Sequence, residues 1–168
     1  MEYNFCRRCG TKLDKDGEIY RCQKDHLIFP APKPTVGIIF IRNNKVVLSR
    51  RGIEPKKGTL DTIGGFVDLN ENFEKAIIRE VKEETGLDRT SYGELKYLCS
   101  ALSPYEYQNE VNQVLSVFFV SDLDESASLI ANDDIESIEE LELNEIQLED
   151  IGNEDVKIAI ETLRNQNA

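Results

Sequence analysis

The spacing of apolar residues changes along the chain, and each change marks an element. TVGIIFI (35–41) is a nearly unbroken apolar run of strand length, preceded by a proline-rich stretch and followed by Asn43-Asn44. An asparagine pair accepts the left-handed backbone of a two-residue turn, so KVVLSR (45–50) is predicted to return as the hairpin partner. EPKKG (54–58) reads as a loop. Strands are expected near 60–68, 94–101 and 111–121, with another around 138–143. Residues 73–84 carry a helical period instead. At about 100° per residue, Phe73, Ala76 and Ile77 lie within about 60° of Glu80, while Lys75, Ile78 and Lys82 occupy the opposite half. Asn72 is a good N-cap, Glu74 suits the positive first turn, and Gly86 supplies a left-handed stop. Val156, Ile160 and Leu163 predict a second helix over 154–164 that closes the domain.

The first of these helices carries chemistry. Glu80, Glu83 and Glu84 fall within an arc of roughly 100° and continue the inward face. An acidic run on a helix ordinarily reads as a solvated face, but the lysines already occupy the solvated side. Carboxylates at i, i+3 and i+4 repel one another, and in the last turn the helix dipole adds to the cost. Something positive must offset both. Hard cations such as Mg2+ or Mn2+, which bind carboxylates together with substrate phosphates, are the natural candidates.

The run Gly65–Leu87, GFVDLNENFEKAIIREVKEETGL, satisfies every fixed position of G-x5-E-x7-R-E-U-x-E-E-x-G-U, with U aliphatic. It resembles the Nudix box, the signature of the Nudix hydrolases. The resemblance implies an α/β/α sandwich around a mixed sheet. It also implies water attack on one phosphorus of a diphosphate linked to another group, with Glu80, Glu83 and Glu84 holding the cations. By the same resemblance the Gly65 carbonyl is a further metal ligand, Glu71 and Arg79 support the ligand glutamates, and Asp134 is a fourth ligand or base, with Glu136 as the alternative. Two positions depart from the common pattern: Ile63 stands where proline is usual and Asn70 where glycine is usual. Neither removes a metal ligand. Some Nudix domains are non-catalytic nucleotide sensors, which tend to lose box carboxylates; this chain keeps them all.

The substrate is less legible. Arg50, Arg51, Lys56 and Lys57 flank the loop before the box and could meet phosphates, or could be ordinary exposed basic residues. Tyr105 and Tyr107 could stack on a base or sugar, or pack an edge strand. NADH pyrophosphatases carry SQPWPFPxS after the box, and CSALSPYEYQ here lacks that motif. A proline this far past the box resembles ADP-ribose pyrophosphatases, and that resemblance puts ADP-ribose, other nucleotide sugars and dinucleotides ahead of nucleoside triphosphates.

Cys6-x2-Cys9 and Cys22-x3-His26, separated by twelve residues, read as a structural zinc site, with a redox pair and ordinary packing as the alternatives. A lobe of 29 residues has too small a core to fold without such a clip. The segment FCRRCGTKL resembles the zinc ribbon found ahead of some Nudix domains. Cys99 stands apart and is expected to pack in the core. The organisation expected is a ribbon over 1–29, a semi-rigid PAPKP joint over 30–34 and a hydrolase domain over 35–168.

Net charge is −12, and from Ser121 to Val156 there are fourteen Asp or Glu and no Lys or Arg. That argues against general nucleic-acid binding and reads as a solvated surface, with docking of a basic partner as the alternative. No apolar run approaches membrane-spanning length and no signal-peptide pattern opens the chain, so a soluble cytoplasmic protein is expected, with a homodimer left open.

Overall fold

The computed structural model describes residues 3–107 and 110–166, the Tyr107 side chain excepted. Three short strands come first: β1 (Leu13–Asp16), β2 (Ile19–Cys22) and β3 (Leu27–Ile28) form a small antiparallel sheet in that order. Among the described residues its buried core is Cys6, Leu13 and Cys22, with Tyr3, Cys9, Tyr20 and Ile28 packed around them.

The rest is built on β4 (Lys33–Arg42), β5 (Lys45–Arg51), β6 (Leu60–Asp61), β7 (Ile63–Phe66), α1 (Phe73–Thr85), β8 (Lys96–Tyr107), β9 (Glu110–Asp122), β10 (Ile135–Leu141) and α2 (Glu154–Gln166). The sheet runs β10-β5-β4-β9-β8, with β6 joined to β5 and β7 to β4. Only β4 and β9 are parallel; the other pairs are antiparallel, which makes the sheet mixed. Asn43 and Asn44 both have positive φ, 51° and 63°, and close the β4–β5 hairpin as the sequence predicts.

Alternation along β4 builds two cores. Ile38 and Phe40 face α1, where they meet Ile63, Ala76, Ile77 and Val81. Ile39 faces α2, where it meets Val46, Leu48, Phe118, Ala159 and Ile160. Helix, sheet and helix therefore stack as an α/β/α sandwich. Among the described residues no helix is long and apolar enough to cross a membrane.

The elements differ from expectation in three places. Lys33 and Pro34, read as part of the joint, already lie in β4, opposite Val114 and Leu115. Pro34 stands at the start of the strand, where a missing N–H is tolerated, and its carbonyl still accepts from Val67 N (3.1 Å). β8 runs six residues beyond Ala101, to Tyr107, as half of a long hairpin with β9. β10 begins at Ile135, earlier than expected, with a register shift between Ile135 and Ser137.

Candidate active site and metal centre

Helix α1 is capped as its sequence requires. Asn72 accepts a hydrogen bond from Lys75 N, and Gly86, at φ 73°, returns its N–H to the Lys82 carbonyl. The caps fix which face meets the sheet, and with it the positions of the glutamates. Glu84 is 7% exposed, the Glu80 side chain 13% and that of Glu83 51%. Three inward carboxylates were expected; Glu83 points outward instead. Its position on the wheel explains this, because it lies about 110° from the centre of the buried arc while Glu84 lies about 10° from it.

Arg79 organises the acids around it. Its Nε donates to Glu71 (2.9 Å), its Nη1 to Glu80 (2.8 Å) and Glu83 (2.9 Å), and its Nη2 to Glu71 and to the Phe66 carbonyl. The Arg79 bond holds Glu71 below the usual carboxylate range. Glu80 and Glu84 go the other way. Burial raises both, Glu84 to about 8, and neighbouring negative charge adds to it, from Glu83 and Glu71 at Glu80 and from Glu80 at Glu84.

The loop before the helix is shaped to these carboxylates. Gly64 N donates to Glu84 Oε2 at 2.9 Å, and at φ 148° a Cβ there would strike the Val36 carbonyl. A Cβ on Gly65 would come within 2.7 Å of Glu80 Oε1. Two glycines thus let the backbone lie directly against two desolvated carboxylates, an oxygen-rich cradle that suits a hard cation.

Glu84 opens onto a cavity of about 150 Å3 that also meets Arg51, Asp61, Gly65, Tyr105, Asp134 and Asp155. Asp61 is buried and accepts from Arg51 Nη1 (2.8 Å), Asn153 Nδ2 (3.0 Å) and Thr62 N (2.8 Å). Burial pushes Asp61 up, and partial desolvation raises the more exposed Asp134 at the cavity rim. Asp134 is tethered on both sides: its carbonyl accepts from Gly52 N, and Asn132 N donates to the Glu84 carbonyl. Phe66 and Tyr105 meet edge to face at 5.8 Å beside the opening.

The expected substrate residues separate. Arg51 and Tyr105 line the cavity. Arg50 does not; its guanidinium is committed to Glu139 and the Gly58 carbonyl. Lys56 donates to the Gly152 carbonyl. Tyr107 lies in β8 opposite Glu110, and its side chain falls outside the described residues. Glu136 is exposed and not part of the cavity wall. Sequence reasoning missed Asp61, Asn153 and Asp155. A signal existed for Asp61, a carboxylate inside a predicted strand; the other two look like an ordinary helix start.

Cys6, Cys9, Cys22 and His26 converge, their ligand atoms all within 4.8 Å of one another. Cys9 Sγ lies 3.7 Å from Cys22 Sγ and Cys6 Sγ 3.5 Å from His26 Nδ1. Zinc–sulfur bonds of about 2.3 Å in a tetrahedron give sulfur pairs about 3.8 Å apart, so the set could bind zinc. A Thr11 hydroxyl bond lowers the Cys9 thiol to about 7. Among the described residues no other His, Cys or carboxylate group of three converges in this way. Cys99 is half-buried against the α2 core and is pushed up by burial, as packing requires.

A NUDIX domain model matches residues 31–161, most of the chain. The chain belongs to the NUDIX family. It is 31% identical over 142 residues to an ADP-ribose pyrophosphatase of Methanocaldococcus jannaschii, covering 84% of this chain and 78% of that one. It is also 31% identical over 112 residues to the NAD-capped RNA hydrolase NudC of Haemophilus influenzae, covering 64% of this chain but only 40% of NudC. Among solved structures, a NUDIX hydrolase from Nitrosomonas europaea superposes with a TM-score of 0.71 over 99% of this chain and 94% of its own, at 22% identity. The NUDIX domain of Shewanella oneidensis NrtR, solved with ADP ribose, gives 0.66 over 83% and 91%, at 20% identity. At these identities the two structures speak for the fold alone.

Proposed function

We propose that this NUDIX protein is a Mg2+- or Mn2+-dependent pyrophosphohydrolase that cleaves ADP-ribose or a related nucleotide sugar or dinucleotide, with a zinc-clipped ribbon ahead of the catalytic domain. Its class, a hydrolase of phosphoric anhydride bonds, follows from the family and its relatives. The observation that carries the reading is the desolvated pair Glu80 and Glu84, packed against Gly64-Gly65 beside a cavity that also presents Arg51 and Tyr105.

Glu80, Glu84 and the Gly65 carbonyl would hold the cation, with Glu83 joining from the rim. A bound cation would neutralise the diphosphate oxygens and lower the pKa of the attacking water. Arg79 keeps Glu80 and Glu83 oriented and Glu71 ionised. Arg51, aimed by Asp61, binds a phosphate oxygen, and Tyr105 offers a face to the base or sugar. Asp134, raised by partial desolvation and held by Gly52 just past β5, would take a proton. None of the four cysteines forms a disulfide, which suits the cytoplasm.

The test is a panel of nucleotide derivatives with Mg2+ or Mn2+, with products identified by mass. ADP-ribose or a dinucleotide should be cleaved at least about ten times more efficiently than any triphosphate, a gap of one factor of ten in kcat/KM. Triphosphates as best substrates would reverse the substrate reading. Binding without turnover would replace it with the sensor alternative.

A further inference from the structure

Phe66 follows Gly65 of the cradle, is 42% exposed and belongs to neither buried core. Two halves of the site hold it. Its carbonyl accepts from Arg79 Nη2 at 3.0 Å, the same guanidinium that grips Glu71, Glu80 and Glu83. Its ring meets Tyr105, 5.8 Å from centroid to centroid and nearly perpendicular at 84°.

In the sheet these two residues are far apart. Phe66 lies opposite Thr35, Thr35 opposite Ser116 and Ser116 opposite Ala101, so three strand spacings of about 4.8 Å separate β7 from β8. Tyr105 stands four residues beyond Ala101, on the same face. Rings so placed touch only because the far end of β8 curls back over the sheet, above Thr35, Val114 and Ser116 of the cavity wall. Among the described residues β8 pairs with β9 alone, so ladder hydrogen bonds restrain this curl from one side only. The curl brings Tyr105 to Arg51. Burial works to lower Arg51, yet Asp61 and, after it, Tyr105 hold it above its ordinary range.

We propose that Phe66 is a positioning residue: its backbone is set by Arg79, and its ring clasps Tyr105, so the far end of β8 is kept in register with the cation cradle. A diphosphate substrate has to meet the cations at Glu80 and Glu84 and the Arg51–Tyr105 side of the cavity at once, so opening the clasp weakens binding more than chemistry. The inference rests on reading the cavity as a nucleoside diphosphate site.

The experiment measures ADP-ribose kinetics on wild type, Phe66→Leu, Phe66→Tyr, Tyr105→Ala and the double variant Phe66→Leu with Tyr105→Ala. Phe66→Leu keeps the backbone bond to Arg79 and removes the ring, so KM should rise about fivefold, the range of an edge-to-face aromatic pair, while kcat moves less than about twofold. Phe66→Tyr retains a ring and should bring KM back to within about twofold of wild type. Once Tyr105 is Ala the clasp is already open, so adding Phe66→Leu should change KM by less than about twofold. Hydrogen exchange in Phe66→Leu should quicken over 103–106 and 111–114 and stay as in wild type over α1, which separates an opened clasp from a damaged fold. If wild type binds ADP-ribose without cleaving it, Kd takes the place of KM in the same comparison. Additive effects of the two substitutions, a loss confined to kcat, or unchanged exchange at the far end of β8 would overturn the role of Phe66 and leave the substrate reading standing. A wild type that neither cleaves nor binds ADP-ribose would remove both.

Discussion

The ribbon's four ligand atoms converge within 4.8 Å on a lobe whose buried core, among the described residues, is three side chains, whereas in the box Arg79 clasps Glu80 and Glu83 and Glu84 turns in against Gly64, on a helix anchored in an extensive core. In the ribbon, soft donors enclose a point and little else holds the strands together, so a metal bound there would hold up the fold. In the box, caps, sheet and Arg79 fix hard donors in advance, so the ligand set depends on the fold. A closed set of four suits structure; an open set facing a cavity suits turnover.

The comparison breaks most visibly at Glu84. Glu84→Gln keeps the shape and removes the charge, so kcat should fall by roughly a thousandfold or more. Stability should behave differently. Glu84 binds its proton more tightly folded, with a pKa of about 8, than unfolded. Its contribution is therefore fully present at low pH and is lost as pH rises toward 8. Melting of wild type without Mg2+ or Mn2+ should decline from pH 5 to 8.5, and the glutamine variant should decline less. Added Mg2+ should raise the wild type at pH 8 and hardly move the variant. Parallel pH profiles would show that Glu84 is not the buried acid described above.

Arg79→Lys comes next. Lysine retains the charge but cannot fork among Glu71, Glu80, Glu83 and the Phe66 carbonyl, so kcat should drop about a hundredfold with a smaller change in KM. Full activity in that variant would reduce Arg79 to a point charge.

Cys22→Ala tests the other side of the comparison. Elemental analysis should show stoichiometric zinc in wild type and little in the variant, with hydrogen exchange accelerated over residues 6–28 and the catalytic domain still folded. A zinc-free ribbon with native exchange protection would remove the contrast between the two clusters.

Arg50→Gln should do least. Its pair with Glu139 is about one-third exposed on each side, so stability should fall by about 0.5–1 kcal/mol at most and kinetics should stay unchanged. A large rise in KM would place Arg50 at the substrate after all.

Much of this was legible where local chemistry decides. The caps of α1, the Asn43-Asn44 turn and the stripe of α2 are each set by a few neighbouring residues, and the structure follows them. The site was less legible where register decides. Arg50 and Arg51 are adjacent on one strand and so point to opposite faces. Only the pairing with β6 and β10 shows that Arg51 reaches Asp61 and the cavity while Arg50 is taken by Glu139. Asp155 was hidden for a related reason. An acid in a first helical turn already has a use there, and nothing local reveals that β9 brings Ser116 against it. The outward Glu83 was within reach of the wheel, had the arc been centred on Ala76, Ile77 and Val81 rather than on Glu80.

Among the described residues both ends of the long sheet are open, since β10 pairs only with β5 and β8 only with β9. An open edge twelve residues long is a template for a foreign strand and hence for aggregation. On β8, Pro104 withholds an amide and interrupts that template. On β10, Glu136 and Glu140 stand exposed along the strand, so a second copy approaching edge to edge would bring like charges together. Part of the acidic block is therefore a guard: it keeps a chain with two unfinished sheet margins from adding its neighbours to them.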